Sequence, residues 1–335
     1  MSLRVLVTDH TWPSLEPEAA VLAGVGAELL VAETGAEDEL IELVRAAEGI
    51  LTCFAQVTPA VVRAGSRLQV IGRYGIGVDN IAVDEATRLG IPVTNVPAYC
   101  VDEVAEHALA LVLAHERGLL RFGGAVREGD WALSRGLPMR RVAGKTLGIV
   151  GFGRIGRALA EKAGGLGLQI VVSDPTAPEE ELAAAGVRRV SLGELAALSD
   201  YVSIHAPLTG ETRGLVDAAF LGAMKPTAFL VNAARGAIVD QEALADALRE
   251  GRIAGAGLDV FDPERLPPDH PLLAEPGLIA TPHVAFYSEE SILELEVRAA
   301  ENVAAILSGR RPGSVVNSEV LDLPRWSHLR QAPNA

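Results

Sequence analysis

Short apolar runs recur along this chain, separated by stretches in which apolar positions follow helical spacing. In the N-terminal third, Leu3–Val7, Glu28–Val31, Gly49–Cys53 and Leu68–Gly72 read as strands. Between them Glu16–Leu22 and Glu37–Ala46 read as helices, and Pro59 opens a short helix where its missing N–H costs nothing. Strands alternating with helices predict a doubly wound sheet. Near Asp102 the pattern changes. Val101–Arg117 is long and rich in Ala, Leu and Val, with Asp102 as its expected N-cap. It is more apolar than a surface helix, which predicts a connector buried between two domains. Gly123–Arg141 is polar and broken by Gly136 and Pro138; it predicts an exposed excursion anchored by Trp131, or an arm gripping a second subunit. Strand-type runs then resume at Leu147–Val150, Gln169–Ser173, Val187–Val190, Tyr201–His205, Ala228–Val231, Gly255–Val260 and Leu278–Ala280, a second α/β unit. A last helix, Glu289–Ser308, sets Ile292, Leu295, Val303, Ile306 and Leu307 against an acidic face, and Pro312 and Gly313 end it. The tail from Pro324 is expected to be loose.

Composition narrows the function classes. With 335 residues the chain has length for two domains, and its aromatic content of 4% suits parallel sheets under aliphatic helices. A formal charge of −15 argues against nucleic acid or an anionic membrane as partner. An anionic ligand would therefore need local positive features, namely helix N-termini and placed arginines. The lysines are Lys145, Lys162 and Lys225, which leaves few candidates for Schiff-base chemistry. Cys53 and Cys100 cannot build a disulfide framework or a thiolate metal cluster, so no metal is expected and a reducing compartment is. The opening MSLRVLVTD lacks a cleavable signal pattern and no apolar run reaches membrane-spanning length, so a cytoplasmic protein is expected.

The stretch from Lys145 to Asp174 carries the most specific chemistry. An apolar strand leads into Gly151, Phe152, Gly153, Arg154, Ile155 and Gly156, then a helix, a second strand and Asp174. In such an arrangement Gly151 permits a tight turn, Gly153 lets a pyrophosphate approach the backbone, and Gly156 lets helix and strand pack closely. The helix N-terminus faces the anion. An acid about 20 residues on suits a ribose 2′-hydroxyl and repels a 2′-phosphate, so NAD is expected over NADP. Neither Pro175 nor Thr176 supplies an arginine to reverse that.

Ligands of open α/β sheets sit outside the carboxyl ends of the strands. Those ends carry His205-Ala206-Pro207, Asn232 to Gly236 with Arg235, Asp259 with the Asp262–Glu264 loop, and Thr281-Pro282-His283. An arginine, a carboxylate and a histidine on successive loops make an acid–base and anion site.

With these residues in place the chain resembles the D-isomer-specific 2-hydroxyacid dehydrogenase family over roughly Leu3–Asn317. The matching stretches are Gly75–Asn80, Asn95–Pro97, Val104–Leu109, Gly144–Gly156, His205–Thr209, Asn232–Gly236, Leu258–Phe261 and Thr281–His283. Within it, Arg73–Gly75 and His283–Glu289 look most like the branch containing the C-terminal binding protein corepressors. The resemblance implies that Arg235 binds a substrate carboxylate and polarises its 2-oxo group, that His283 is the acid–base, and that Glu264 is its hydrogen-bonded, buried partner. It also implies that Asp259 orients the nicotinamide carboxamide, that His205, Ala206, Pro207, Thr212, Ala233 and Ala234 line the cofactor together with Arg235 and His283, and that Arg154 and Ile155 lie over the pyrophosphate. Arg73, Tyr74, Gly75, Ile76 and Gly77 would meet the substrate; Phe54, Tyr74, Tyr99, Phe286 and Tyr287 are either lining for its side-chain pocket or ordinary core, with Phe286 and Tyr287 the favoured lining.

The expected fold is therefore α/β with two doubly wound parallel-sheet domains: a Rossmann NAD-binding domain, 102–287, inserted into a flavodoxin-like substrate domain, 1–101 and 288–335. Hinge closure over a cleft would exclude water during hydride transfer. The expected function is NAD-dependent interconversion of a 2-oxo acid and a D-2-hydroxy acid, in a homodimer. The alternatives are an NADH-sensing, corepressor-type scaffold and 3-phosphoglycerate dehydrogenase activity; formate or phosphite oxidation on this fold is disfavoured.

Overall fold

The computed structural model describes residues 2–136 and 138–329. The chain divides into two compact units, Met1–Tyr99 with Ser288–Ala335, and Cys100–Tyr287.

The first unit runs β1 (Leu3–Val7), α1 (Glu16–Ala23), β2 (Ala27–Val31), α2 (Glu37–Val44), β3 (Gly49–Thr52), α3 (Pro59–Ala64), β4 (Val70–Arg73), α4 (Val83–Arg88) and β5 (Val93–Thr94). Its five strands are all parallel in the order β2-β1-β3-β4-β5, the flavodoxin-like arrangement. Leu6, Ile50 and Ile71, on adjacent strands, are fully buried with Leu40 and Val44 of α2 and Val61 of α3 in one core. Two elements were not foreseen: α4, whose VDEATR sequence is mostly polar, and β5, only 2 residues long.

The second unit contributes α5 (Val101–Glu116), α6 (Leu119–Arg127), β6 (Thr146–Val150), α7 (Arg154–Gly165), β7 (Gln169–Ser173), α8 (Glu179–Ala184) and β8 (Arg188–Arg189). It continues through α9 (Leu192–Leu198), β9 (Tyr201–Ile204), α10 (Ala218–Ala223), β10 (Phe229–Asn232), α11 (Gln241–Arg249), β11 (Gly255–Leu258) and β12 (Leu278–Ala280). The sheet order is β12-β11-β10-β9-β6-β7-β8, again all parallel: the dinucleotide-binding order with one strand added at an edge. Strands buried on both faces explain why they read as continuous apolar runs.

Helix α5 belongs to this second unit. Ala105, Ala108, Leu111 and Val112 pack with Leu159 and Ala163 of α7 and Phe229 of β10. Asp102 does not cap it. Cys100 occupies the N-cap position without a side-chain cap bond, and Asp102, the second helical residue, pairs instead with Lys162 at 2.9 Å. Within 123–141, Gly123–Arg127 completes α6 and a short 3-10 helix spans Leu133–Gly136. Trp131 is not buried as an anchor among the described residues: it is 79% exposed. Leu137, in the same stretch, lies outside the described residues.

The last helix, α12 (Glu289–Leu307), returns to the first unit, where Val303 lies 3.1 Å from the Cβ position of Gly49 on β3. Its polar face is not wholly outward, since Glu296 is buried. The following tail is docked as far as it is described: Trp326 is buried and its Nε1 donates to Gly90 O at 2.9 Å. The carboxamide of Asn317 donates to Ile91 O and accepts from Val93 N at 2.7 Å, which ties the same tail to β5. Residues 330–335, the remainder of the expected loose tail, lie outside the described residues.

Candidate active site

The second sheet reverses its winding between β6 and β9, and ligands of such sheets bind at that switch point. Gly151, just after β6, has φ +90°, and a Cβ there would lie 2.7 Å from Ala206 N in the segment after β9. A Cβ on Gly156 would fall 2.3 Å from Gly151 O, so α7 closes directly onto the turn. Gly153 is different: its would-be Cβ meets no atom within 4 Å. It is the N-cap of α7, exposed beside Arg154 and Ile155, and it leaves room for an anion at the helix N-terminus.

Asp174, at the end of β7, accepts from Phe152 N at 2.8 Å, inside the glycine turn itself. Its other oxygen accepts from Thr176 N, Thr176 Oγ1 and Ala177 N. Burial alone would raise this carboxyl, but those N–H and hydroxyl donors outweigh it and hold the group below its ordinary range. The acid is thus ionised at neutral pH. An open phosphate cradle with a fixed carboxylate at the next strand end fits a dinucleotide.

After β9, Thr212 Oγ1 donates to Pro207 O at 2.6 Å and accepts from Thr209 N, closing the 207–212 loop. His205 lies at the strand end with Nε2 2.8 Å from the buried Ser203 hydroxyl. Although part of the residue reaches the surface, its ring is surrounded by protein, and that desolvation pushes it down to about 4. It is a neutral imidazole at working pH, suited to line a cofactor rather than move protons.

Three adjacent strands, β10, β11 and β12, carry the acid–base residues at their carboxyl ends. At neighbouring-strand spacing, these loops lie within roughly 10 Å of one another. Asn232, fully buried at the end of β10, shapes the first: its Oδ1 accepts from Ala234 N at 3.0 Å and its Nδ2 donates to Arg235 O at 2.8 Å. Ala233, Ala234 and Arg235 are therefore held in one turn, with Arg235 Nη1 donating to Ala234 O. Gly236 then packs its backbone on the next loop, where a Cβ would lie 2.0 Å from Phe261 C. That joins the arginine loop to the segment leading to Glu264. Gln241 of α11 fixes the same segment, accepting from Asp262 N at 3.2 Å and donating to Asp262 O.

Glu264 reaches His283 directly, Oε1 to Nδ1. The expected buried partner is in fact an exposed one, its side chain 43% accessible, while that of His283 is 20% accessible. His283 is the one non-glycine among the described residues with positive φ, at 54°. Asp259, with no exposed surface, turns its carboxylate under this loop: Oδ1 accepts from Thr281 Oγ1 at 2.6 Å and Val284 N at 2.9 Å, Oδ2 from Ala285 N at 2.8 Å. Phe286 stands edge-on to the imidazole at 5.9 Å, and Tyr287 beyond it is exposed.

The Arg73–Gly77 loop lies in the first unit. Arg73 ends β4 and is buried, with its guanidinium folded over Gly75, where a Cβ would lie 2.5 Å from Nη1. Its Nε has no hydrogen-bond partner, and among the described residues no carboxylate pairs with it. Asn95 Nδ2 donates to Ile76 O at 2.8 Å, and Gly75 O accepts from Val96 N, so this loop is braced at Gly75 and Ile76. Tyr74 departs from expectation. Its ring lies edge-on to Trp12 in the core and its hydroxyl donates to Glu18 Oε1 at 3.0 Å, so the side chain cannot meet a ligand. Tyr99 is buried as well. Sequence reasoning placed Asn232 and Thr281 at strand ends but gave them no role, and it missed Ser203 and Gln241; Asn232 and Ser203 bond within their own segments, whereas Thr281 and Gln241 bond to other loops.

The geometry agrees with what the chain is similar to. Residues 109–285 match the family model of the D-isomer specific 2-hydroxyacid dehydrogenase NAD binding domain. A glyoxylate reductase of Korarchaeum cryptofilum is 42% identical over 286 residues, 84% of this chain and 86% of that protein. The D-3-phosphoglycerate dehydrogenase of Methanocaldococcus jannaschii is 37% identical over 94% of this chain, which spans 59% of that longer protein. Among solved structures, the D-lactate dehydrogenase of Aquifex aeolicus, complexed with NAD and lactic acid, superposes with a TM-score of 0.84 at 26% identity, covering 95% of this chain and 97% of its own. A nucleotide cradle at the switch point, a His–Glu pair two strands from an arginine and this degree of identity have one common reading: the chain belongs to the D-isomer specific 2-hydroxyacid dehydrogenase family and is an NAD-dependent oxidoreductase that interconverts 2-oxo and 2-hydroxy acids.

Proposed function

We propose that the protein is an NADH-linked reductase of a small 2-oxo acid, producing the D-2-hydroxy acid, with Arg235, Glu264 and His283 as its catalytic residues. The observation that carries this is the bond between Glu264 and His283 Nδ1 on the strand-end loops next to Arg235. Bound NAD would be held by the Gly151–Gly156 turn and Asp174, and supplies or accepts the hydride. A fixed guanidinium at Arg235 matches a carboxylate bidentately and draws charge onto the 2-oxo oxygen. With Nδ1 engaged by Glu264, proton exchange with that oxygen falls to Nε2 of His283, and the carboxylate orients the ring for it. In the first unit, Arg73 is buried with its Nε unbonded, a cation suited to an anion. Two further readings accompany this one: a cytoplasmic location, consistent with Cys53 and Cys100 as buried thiols, and a homodimer formed through the exposed apolar residues between Leu119 and Leu133. Among the described residues no helix is long and apolar enough to cross a membrane.

The glyoxylate reductase relative makes glyoxylate the first substrate to test, with hydroxypyruvate and 2-oxo-4-methylthiobutanoate beside it. The phosphoglycerate dehydrogenase relative favours 3-phosphoglycerate oxidation as the second reading. An NADH-sensing scaffold rests on the Arg73–Gly75 and His283–Glu289 resemblance alone; it would bind NADH and turn over none of these compounds. His283→Asn should lower kcat by about 1,000-fold while NADH binding changes little, because proton transfer belongs to the transition state. Reduction consumes a proton and should slow as pH rises, and oxidation, which releases one, should show the opposite trend. Parallel profiles in the two directions would remove His283 from the acid–base role.

A further inference from the structure

Beneath the His283 loop lies a chain of hydrogen bonds that the acid–base roles do not use. His107, on α5, places Nε2 3.0 Å from Thr281 Oγ1, and Thr281 Oγ1 lies 2.6 Å from Asp259 Oδ1. The direction of this chain is fixed by chemistry. The carboxylate oxygens of Asp259 already accept from Val284 N and Ala285 N, and the single hydroxyl proton of Thr281 points to Asp259 Oδ1. Thr281 can then only accept from His107, whose Nε2 carries hydrogen. The order is His107 N–H to Thr281 O–H to the Asp259 carboxylate.

Two features of the loop give this chain a purpose. His283 holds φ at 54°, a region costly for a residue with a Cβ, and its own N–H is turned back to Asp259 O at 2.7 Å. Asp259 thus grips residues 281, 283, 284 and 285 by four bonds, three through its carboxylate and one through its carbonyl. Asp259 has no exposed surface, so its carboxylate is oriented by these donors, with His107 Nε2 3.8 Å from Oδ1 behind Thr281. Losing Thr281 Oγ1 would leave Oδ1 with one donor and let the carboxylate rotate, and the left-handed turn at His283 would relax.

We propose that Thr281, oriented by His107, is a positioning residue for His283: through Asp259 it holds the catalytic imidazole in the backbone conformation that faces Glu264. This rests on His283 being the acid–base residue. Neither side chain touches the reacting atoms in this account; both act through the Asp259 cradle.

Thr281→Val keeps the shape and removes the hydroxyl, whereas Thr281→Ser keeps the hydroxyl. Removing one hydrogen bond to a buried carboxylate oxygen should lower kcat about tenfold or more in Thr281→Val, with the NADH dissociation constant within about twofold of native. The pH profile of reduction should shift as the His283–Glu264 alignment loosens, and Thr281→Ser should return both kcat and profile to native. His107→Phe, which frees the hydroxyl to turn away, should lower kcat in the same direction by a smaller factor. Native kcat and pH profile in Thr281→Val, or equal loss in Thr281→Val and Thr281→Ser, overturns the proposal. His283→Asn in the same series separates the two levels: full activity there defeats the acid–base reading itself, while an inactive His283→Asn beside an unaffected Thr281→Val defeats only the positioning role.

Discussion

At Asp174 one side chain has two tasks, and the difference decides which substitution is informative. One oxygen holds Phe152 N in the glycine turn and the other holds Thr176 and Ala177, so Asp174→Ala would disturb the phosphate cradle as well as the charge. Asp174→Asn removes the charge and keeps one acceptor oxygen for Thr176 and Ala177, while its amide nitrogen gives up the bond from Phe152 N, a smaller disturbance than alanine. A carboxylate and a phosphate a few ångströms apart repel by about 1–4 kcal/mol in a partly solvated site, so native enzyme should prefer NADH over NADPH by at least about tenfold in kcat/KM. Asp174→Asn should narrow that ratio mainly by improving NADPH. An unchanged ratio would move selection to another group, with Arg189, which donates to Asp174 O at 2.9 Å, the first to examine. The acid was legible in the sequence because a strand-type run ends on it. Residues that bond across large separations were not: His107 and Thr281 meet across 174 positions, and nothing local in either segment announces the other. Tyr74 failed for the opposite reason. Its neighbours Arg73 and Gly75 carry a recognisable motif, but its own ring is claimed by Trp12 and Glu18 from the start of the chain.

At the scale of elements, apolar periodicity located most strands and helices because buried parallel strands have no polar face to confuse the pattern. It failed where packing reaches past periodicity. Helix α12 reads as amphipathic with an acidic outer face, yet Glu296 is only 5% exposed and packs on the side of α1, where Glu18 is fully buried. Burial first, then the charge of Glu18, raises the Glu296 carboxyl to about 7. Since this folded value lies above the ordinary one, the folded state binds more protons between about pH 4.5 and 7, and stability falls as pH rises through that window. Glu296→Gln should therefore be more stable than native at pH 8, by roughly 1–3 kcal/mol, and close to native at about pH 4. Urea unfolding at both pH values measures this; a constant difference across the window would mean that the carboxyl does not titrate there.

For the whole molecule, charge and surface make opposing demands. A net charge of −15 sets copies of the chain against one another, so a stable dimer must bury enough apolar surface to overcome that repulsion. The second unit exposes such surface along one stretch: Leu119, Leu120 and Val126 on α6, followed by Trp131 and Leu133. Trp131 is the largest of these, and an aromatic of its size buries about 150–250 Å² when covered, a sizeable part of the roughly 800 Å² per partner in a typical interface. Stable association through this stretch makes two measurable demands. Trp131→Ser combined with Leu133→Ser should weaken dimerisation by at least about tenfold, because fully burying two such side chains is worth roughly 3–6 kcal/mol. Added salt should tighten the native dimer by screening the acidic surfaces, the reverse of what an ion-paired interface would do. Light scattering across a dilution series reads both effects. A native chain that stays monomeric at micromolar concentration, or a double variant as dimeric as native, would locate any association on another face and leave Trp131 exposed for some other reason.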